Sequence, residues 1–334
     1  MTHILHLGHQ PADIAGIEGR ISTDTPGFDP TLDVNAIRFQ GGSGASFPFS
    51  LSVREPAGDL WLGFRYVPPG TGANTINQQS ASFLEFRDAD SLLLAQIRPL
   101  PATNRYHAIA HGDTVLEATS AFTAGNGQAV WIDLRVAVGA EITIDFFAGG
   151  VLMSSATAPN TGGKGKPRLV RFTNTALVGV NISPAPIWYY AHIAVLDGVS
   201  TIGRRFVRRV PAAPGAFAQM AGSVAALADG NIGTRVTSDA PGQRLSFTLT
   251  GPTGPAAPSA IAGVHLKQIV QGGTDGPDAT AGFLRLGGVN HDAPPVSVPS
   301  LAPVPVYSSW ATNPADGSPW DTTSLPAEVG ILSA

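Results

Sequence analysis

An all-β chain of antiparallel sandwiches is the fold class this sequence predicts, and three observations predict it. Apolar and polar residues alternate with period two in many short runs. Turn formers separate these runs at spacings of about 8–12 residues. No helical pattern outlasts a turn or two. Glycine (39) and proline (28) form about a fifth of the 334 residues, enough for a turn-rich chain. That is below the more than ~25% of an aperiodic disordered one. Charged residues are 13% and hydrophobic residues 43%, so the surface has to be built largely from Ser, Thr, Asn, Gly and Pro.

The first strand-like runs are Ala36–Phe39, Ser46–Val53, Leu60–Val67, Ser82–Arg87, Ser91–Arg98, Arg105–Ala110 and Thr114–Glu117. Ala129–Val138, Glu141–Phe147, Gly150–Ser154, Arg168–Phe172 and Tyr189–Leu196 follow. Within Trp131–Val136, Trp131, Asp133 and Arg135 share one face, and Ile132, Leu134 and Val136 the other. Asp88–Asp90, His111–Asp113, Gly125–Gly127 and Ala148–Gly150 supply turns. No βαβ alternation occurs, which excludes a parallel nucleotide-binding sheet. Pro159–Pro167 (PNTGGKGKP) reads as a loop; its Gly-Lys pairs lack the following Ser or Thr of a phosphate cradle, and Pro167 would break the helix one needs.

A second region begins near Ser200 with Arg204, Arg205, Arg208 and Arg209 around Phe206. Strand-like runs recur at Arg244–Thr250, Ala262–Val270 and Gly282–Leu286, with a proline-rich loop at Gly251–Pro255 and an extended, polyproline-like stretch from Asp292 to Pro305. The expected organisation is an N-terminal arm (1–19), a sandwich (20–199) and a smaller C-terminal sandwich (200–334).

The formal charge of −4 argues against nucleic-acid binding by the whole chain. No run of 18 apolar residues is present, so no membrane-spanning helix is expected. The absence of cysteine removes disulfides, Cys-ligated metals and thiol catalysis. The first residues lack the basic and apolar regions of a secretory signal, so folding or assembly in a cytoplasm is expected.

An ordered series carries a family resemblance: Phe83–Asp88, Leu92–Ile97, Gln128–Val138, Ile142–Phe147 with its Ala148-Gly149-Gly150-Val151 turn, and Trp188–Gly198. Over roughly residues 20–197 the chain resembles a concanavalin A-like, laminin-G-type jelly roll. The second region is similar to the module that follows such a jelly roll in tailed-phage structural proteins. Ile202-Gly203, Ala226–Thr237, Gly242–Leu249 and Asn313–Gly330 (NPADGSPWDTTSLPAEVG) carry that likeness. It implies a fibre, spike or decoration component of a phage or gene-transfer-agent virion. It further implies a homo-oligomer beside other virion proteins, contacting host surface polysaccharide. Ala191 and His192 stand where related phage chains often hold acidic residues, so no ion site is carried across.

Retaining glycosidases need two carboxylates about 5–5.5 Å apart. Glu85, Asp88 and Asp90 run off a strand into a turn, and Glu141 and Asp145 stand ~13 Å apart along theirs. The eight histidines are scattered; only His107 and His111 with Asp113 could meet, on a strand-turn that does not aim both rings alike. No Gly-x-Ser-x-Gly elbow is present. The expectation is therefore a chain without catalysis, metal or cofactor, with a depolymerase, a purely structural subunit or a free lectin as the other readings. Trp61, Tyr66, Trp131, Trp188, Tyr189 and Tyr190 are the candidate sugar-binding aromatics, since flat apolar rings with polar edges suit sugar faces. The three consecutive aromatics Trp188–Tyr190 cannot all point inward. Arg204, Arg205, Arg208 and Arg209 are candidates for a domain or subunit interface, with phosphates or acidic sugars as the other reading.

Overall fold

The computed structural model describes residues 4–8, 21–24, 27–33, 36–40, 49–68, 83–99, 105–124, 127–173, 187–228, 233–252, 254, 260–298 and 302–334. They form two units, His3–Phe206 and Val207–Ala334.

The first unit is a jelly-roll sandwich. Its strands are β1 (Ile4–Gly8), β2 (Ile21–Asp24), β3 (Ala36–Gln40), β4 (Phe49–Ser52), β5 (Leu60–Val67), β6 (Leu84–Arg87), β7 (Leu93–Pro99) and β8 (Arg105–His111). They continue as β9 (Val115–Glu117), β10 (Phe122–Thr123), β11 (Val130–Val138), β12 (Glu141–Ala148), β13 (Val151–Pro159), β14 (Leu169–Phe172) and β15 (Ile187–Asp197). An eight-stranded sheet runs β13-β12-β11-β5-β15-β3-β2, with β1 on β15. A seven-stranded sheet runs β10-β8-β7-β6-β14-β4, with β9 on β8. Ile4–Gly8 belongs to the expected N-terminal arm, yet it is a strand: Ile4 and Leu5 are buried, and Gly8 pairs with Ile193.

Alternation decides what lies between the sheets. In β5, Leu60, Leu62, Phe64 and Tyr66 are fully buried, while Trp61 and Arg65 alternate with them on the outer face. Ile132, Leu134 and Val136 of β11 do the same. From the seven-stranded sheet come Phe49, Phe86, Ile97, Tyr106 and Phe172. Phe49 stacks on Phe172 at 4.3 Å, and Phe64 meets Phe172 edge-on at 5.4 Å. Such pairs contribute about 0.5–1.5 kcal/mol beyond the area they bury. A one-residue slip in any of these strands would turn its apolar set to solvent, so the pattern also fixes register.

The loop between β13 and β14 is tied down by polar side chains. Asp113 accepts from the Thr161 and Gly162 amides at 2.8 and 3.0 Å. Lys164 spends its ammonium on the carbonyls of Leu93 and His111, so this Gly-Lys loop is a clasp between loops.

The second unit holds β16 (Val210–Ala218), α1 (Ala225–Ala228), β17 (Arg244–Thr250), β18 (Val264–Val270), β19 (Ala279–Leu286), β20 (Val289–Asp292), β21 (Val296–Ser297), β22 (Val304–Trp310) and β23 (Glu328–Ser333). A six-stranded sheet runs β16-β17-β23-β19-β20, with β21 on β19, and β18 pairs with β22 as a ribbon. Gly282 admits the ribbon closely: a methyl there would lie 2.8 Å from Leu266 and Ser308. The core gathers Phe247, Leu284, Trp310, Trp320 and Val329. One strand goes beyond the sequence pattern and one predicted feature is corrected. Val210–Ala218 is a strand despite Pro211 and Pro214, which fit because it is a bulged edge. The expected polyproline stretch ends in strand β22, whose Val306 and Trp310 are buried.

Candidate functional site

The outer face of the seven-stranded sheet carries a polar band that register assembles from five strands. Arg171 of β14 stands opposite Glu85 of β6, Glu85 opposite Gln96 of β7, Gln96 opposite Ile109 of β8, and Ile109 opposite Glu117 of β9. Four interstrand steps make this row about 20 Å long. One pair further along, Arg98 faces His107. The Arg87 Nε donates to Glu85 at 3.0 Å, and Arg171 approaches the same carboxylate oxygen at 3.8 Å.

At the other end Arg98 and His107 converge on Glu117. The Arg98 guanidinium holds Oε1, and the His107 Nε2 lies 3.3 Å from Oε2. Burial pushes the His107 pKa down and Arg98 adds to this, against the pull of Glu117, so the imidazole is held neutral. Burial alone would raise the Glu117 carboxyl, but the Arg98 hydrogen bond and charge bring it below its ordinary value. An ionised Glu117 accepts a proton bond from His107 Nε2, which leaves the Nδ1 lone pair; Nδ1 has no partner among the described residues. His111, on the same strand, is also pushed down by burial, then by Lys164 and Arg98.

The band can therefore bind anions through Arg98 and Arg171, which keep part of their side chains in water, while Gln96, His107 and Ile109 lie buried between them. Among the described residues no group of three His, Asp or Glu could hold a metal. His107, His111 and Asp113 do not converge on one point: Asp113 instead holds Thr161 and Gly162. Except for Glu85, His107 and His111, which were weighed as a carboxylate and as metal ligands, sequence reasoning passed over these residues. The available signal was polar residues at every second position of LEFR and AQIR, and at Arg105, His107 and His111 of RYHAIAH.

The candidate aromatics divide between core and surface. Tyr66, Trp188 and Tyr190 lie in the core, at 0, 4 and 3% exposure, so they offer no platform for a sugar. Tyr66 instead shares a hydroxyl contact with Tyr106 at 3.4 Å. Trp61, Trp131 and Tyr189 are half-buried on the outer face of the eight-stranded sheet. Trp61 stacks with Phe147 at 5.8 Å, and Trp131 lies under the Arg205 guanidinium at 3.8 Å. Of the four arginines, Arg205 is spent within the first unit, on Trp131, on Asp133 and on the Thr201 carbonyl. Arg204 and Arg209 are exposed, and Arg208 is half-buried.

No protein-family model and no curated protein sequence matches the chain. Among solved structures it is similar to the alginate lyase Aly36B, at 9% identity and a TM-score of 0.43, over 60% of this chain and 94% of that one. It is also similar to an endo-β-1,4-glucuronan lyase from the fungus Trichoderma reesei (11%, TM-score 0.41, 58% of this chain and 94% of that one). A third is a conserved carbohydrate esterase from the Shiga toxin-encoding bacteriophage phi24B (13%, TM-score 0.42, 59% and 99%). At these identities the likeness is one of fold. The expectation of a chain without catalysis is not upheld by these comparisons, whose members are two lyases and a carbohydrate esterase. The missing carboxylate pair and nucleophile elbow speak only to two hydrolytic routes. An elimination needs a base, an acid and a charge to neutralise the carbanion, and it leaves neither signature.

Proposed function

We propose that the chain is a polysaccharide-degrading protein that works on the outer face of its seven-stranded sheet and prefers acidic chains. The observation that carries this reading is the band itself: Arg171, Glu85 and Gln96 in one row, with Arg98, His107 and Glu117 at its end. Guanidinium groups pair with carboxylates in planar, two-point fashion, which suits a row of acidic sugars. Arg98 and Arg171 are the substrate contacts of this reading, and the buried His107 holds Glu117 in place beside Arg98. The sequence likeness of the second region to phage structural proteins supports a place on a phage or phage-like virion, as a homo-oligomer that meets host surface polysaccharide.

The test uses the purified full chain against acidic and neutral polysaccharides, including host capsule. Ultraviolet absorbance of a new C=C bond reads elimination, and reducing ends without that absorbance read hydrolysis. The expected result is cleavage of an acidic chain by either route, lost in Arg98→Ala. Intact polysaccharide in every case would overturn the reading. Cryo-electron microscopy of intact particles tests the virion placement.

A further inference from the structure

The opposite side of the sandwich carries a second site that the polar band does not use. After β15 the chain turns back, and residues 201–206 lie on the outer face of the eight-stranded sheet. Thr201, 1% exposed, occupies a slot that Gly63 leaves open; a methyl at Gly63 would meet the Thr201 Cβ at 2.8 Å and the Asp133 Oδ1 at 2.9 Å. The Arg205 guanidinium lies over the Trp131 ring, 3.8 Å from its centre. Its Nη1 is 3.6 Å from Asp133 Oδ1 and donates to the Thr201 carbonyl at 2.9 Å. Phe206 closes against His192 at 5.6 Å, and His192 also touches Trp131 at 5.3 Å.

Asp133 is what makes this more than packing. It is 0% exposed, and burial raises its carboxyl against the pull of Thr201 and Arg205, the side chains that face it. A buried carboxylate is costly unless paired, and among the described residues the cation that faces it is Arg205. A flat aromatic ring beside a buried carboxylate is a receptor for a flat cation, because ring quadrupole and anion attract the same guanidinium from two sides.

We propose that Trp131 and Asp133 form a guanidinium-binding site, occupied by the chain's own Arg205, and that this occupancy latches residues 201–206 to the sheet. The site accepts a planar cation and discriminates against ammonium. A lysine head cannot cover the ring and face the carboxylate at once, since it is a compact point charge. The four-arginine segment thus has a division of labour: Arg205 faces inward as an internal ligand, while Arg204 points to solvent.

The test measures hydrogen exchange of residues 200–206 in the full chain by mass spectrometry, with Trp131 fluorescence assigned by a Trp131→Phe control. Arg205→Ala is expected to speed exchange of the segment about tenfold and to shift Trp131 emission. Low-millimolar guanidinium, well below denaturing levels, is expected to restore both, while sodium chloride of equal ionic strength does not. Arg205→Lys, which keeps charge and stem, is expected to exchange as fast as the alanine variant. Asp133→Asn is expected to exchange fast and to ignore guanidinium. Wild-type exchange in Arg205→Ala or in Arg205→Lys, or equal effects of guanidinium and sodium chloride, would overturn the proposal. Polysaccharide cleavage is read separately, so loss of one reading leaves the other standing.

Discussion

His107 Nε2 lies 3.3 Å from Glu117 Oε2, and Arg98 holds the other oxygen of the same carboxylate. Three chemically different groups from three adjacent strands thus share one charge. Glu117 favours the protonated imidazole, whereas burial and Arg98 oppose it, and the second pair prevails. The His107 proton is therefore released below the ordinary histidine value of 6.5. Imidazole NMR titration of His107 is expected to centre below that pH. Glu117→Gln removes the neighbour that favours the charged ring and leaves Arg98 uncompensated, so the transition is expected to move further down. A transition that stays in place or rises in Glu117→Gln would refute the Glu117–His107 contact.

Arg98 and Arg171 bracket the polar band, and each keeps part of its side chain in water, at 26 and 37% exposure. Hydrogen bonds to charged groups contribute about 1.5–3 kcal/mol, so removing either arginine is expected to weaken binding of an acidic chain by about tenfold or more. Part of the wild-type affinity should vanish with added salt, as partly exposed charge pairs are screened. Neutral polysaccharide should bind the variants and the wild type alike. Calorimetry at two ionic strengths reads both effects.

His192 has φ +54°, a left-handed conformation at the bulge where β15 shifts register between Ala191 and Ala194. Its Nε2 accepts the Asp29 amide at 3.3 Å, and burial pushes its pKa down to about 4 despite Asp29, with Arg65 and Arg205 opposing that carboxylate. The unfolded chain takes up this proton near 6.5, the folded chain only near 4. Between those values the unfolded state binds more protons, so the His192 contribution is complete above pH 6.5 and declines as pH falls to about 4. His192→Asn tolerates the left-handed backbone and removes the titration. Denaturant unfolding over this pH range is expected to show a shallower slope in the variant; parallel curves would refute the assignment.

The strand content was legible because β5, β11 and β12 write their alternation into contiguous residues. The parity was less so. Trp188-Tyr189-Tyr190 shows that neighbours must part, but local sequence does not say which ring turns inward, and the bulge at His192 changes parity mid-strand. Tyr66 was misplaced for the same reason: in Arg65-Tyr66-Val67 an inward tyrosine and an outward one read alike. The polar band was out of reach for a different cause. Arg171, Glu85, Gln96 and Glu117 are far apart in the chain and become neighbours only through register between strands, which local periodicity does not encode. The edge strand β16, with two prolines, defeats propensity because only its outer side lacks a partner.

Gly63 offers the sharpest test of how the sheet face receives the segment after β15. A methyl added there would press on Thr201 Cβ at 2.8 Å and Asp133 Oδ1 at 2.9 Å, closer than packed atoms tolerate. Neither neighbour can yield cheaply: Thr201 and Asp133 are buried, and Asp133 is placed against Arg205. Overpacking of this kind costs about 1–3 kcal/mol. Gly63→Ala is therefore expected to lower Tm by several degrees and to speed hydrogen exchange in residues 200–206 beyond the global loss. Gly139→Ala is the matched control, since a methyl there meets nothing within 4 Å. It should leave both measurements near wild type or raise Tm slightly, by restricting the unfolded chain. If Gly63→Ala and Gly139→Ala behaved alike, residues 201–206 would not be seated on the sheet as described.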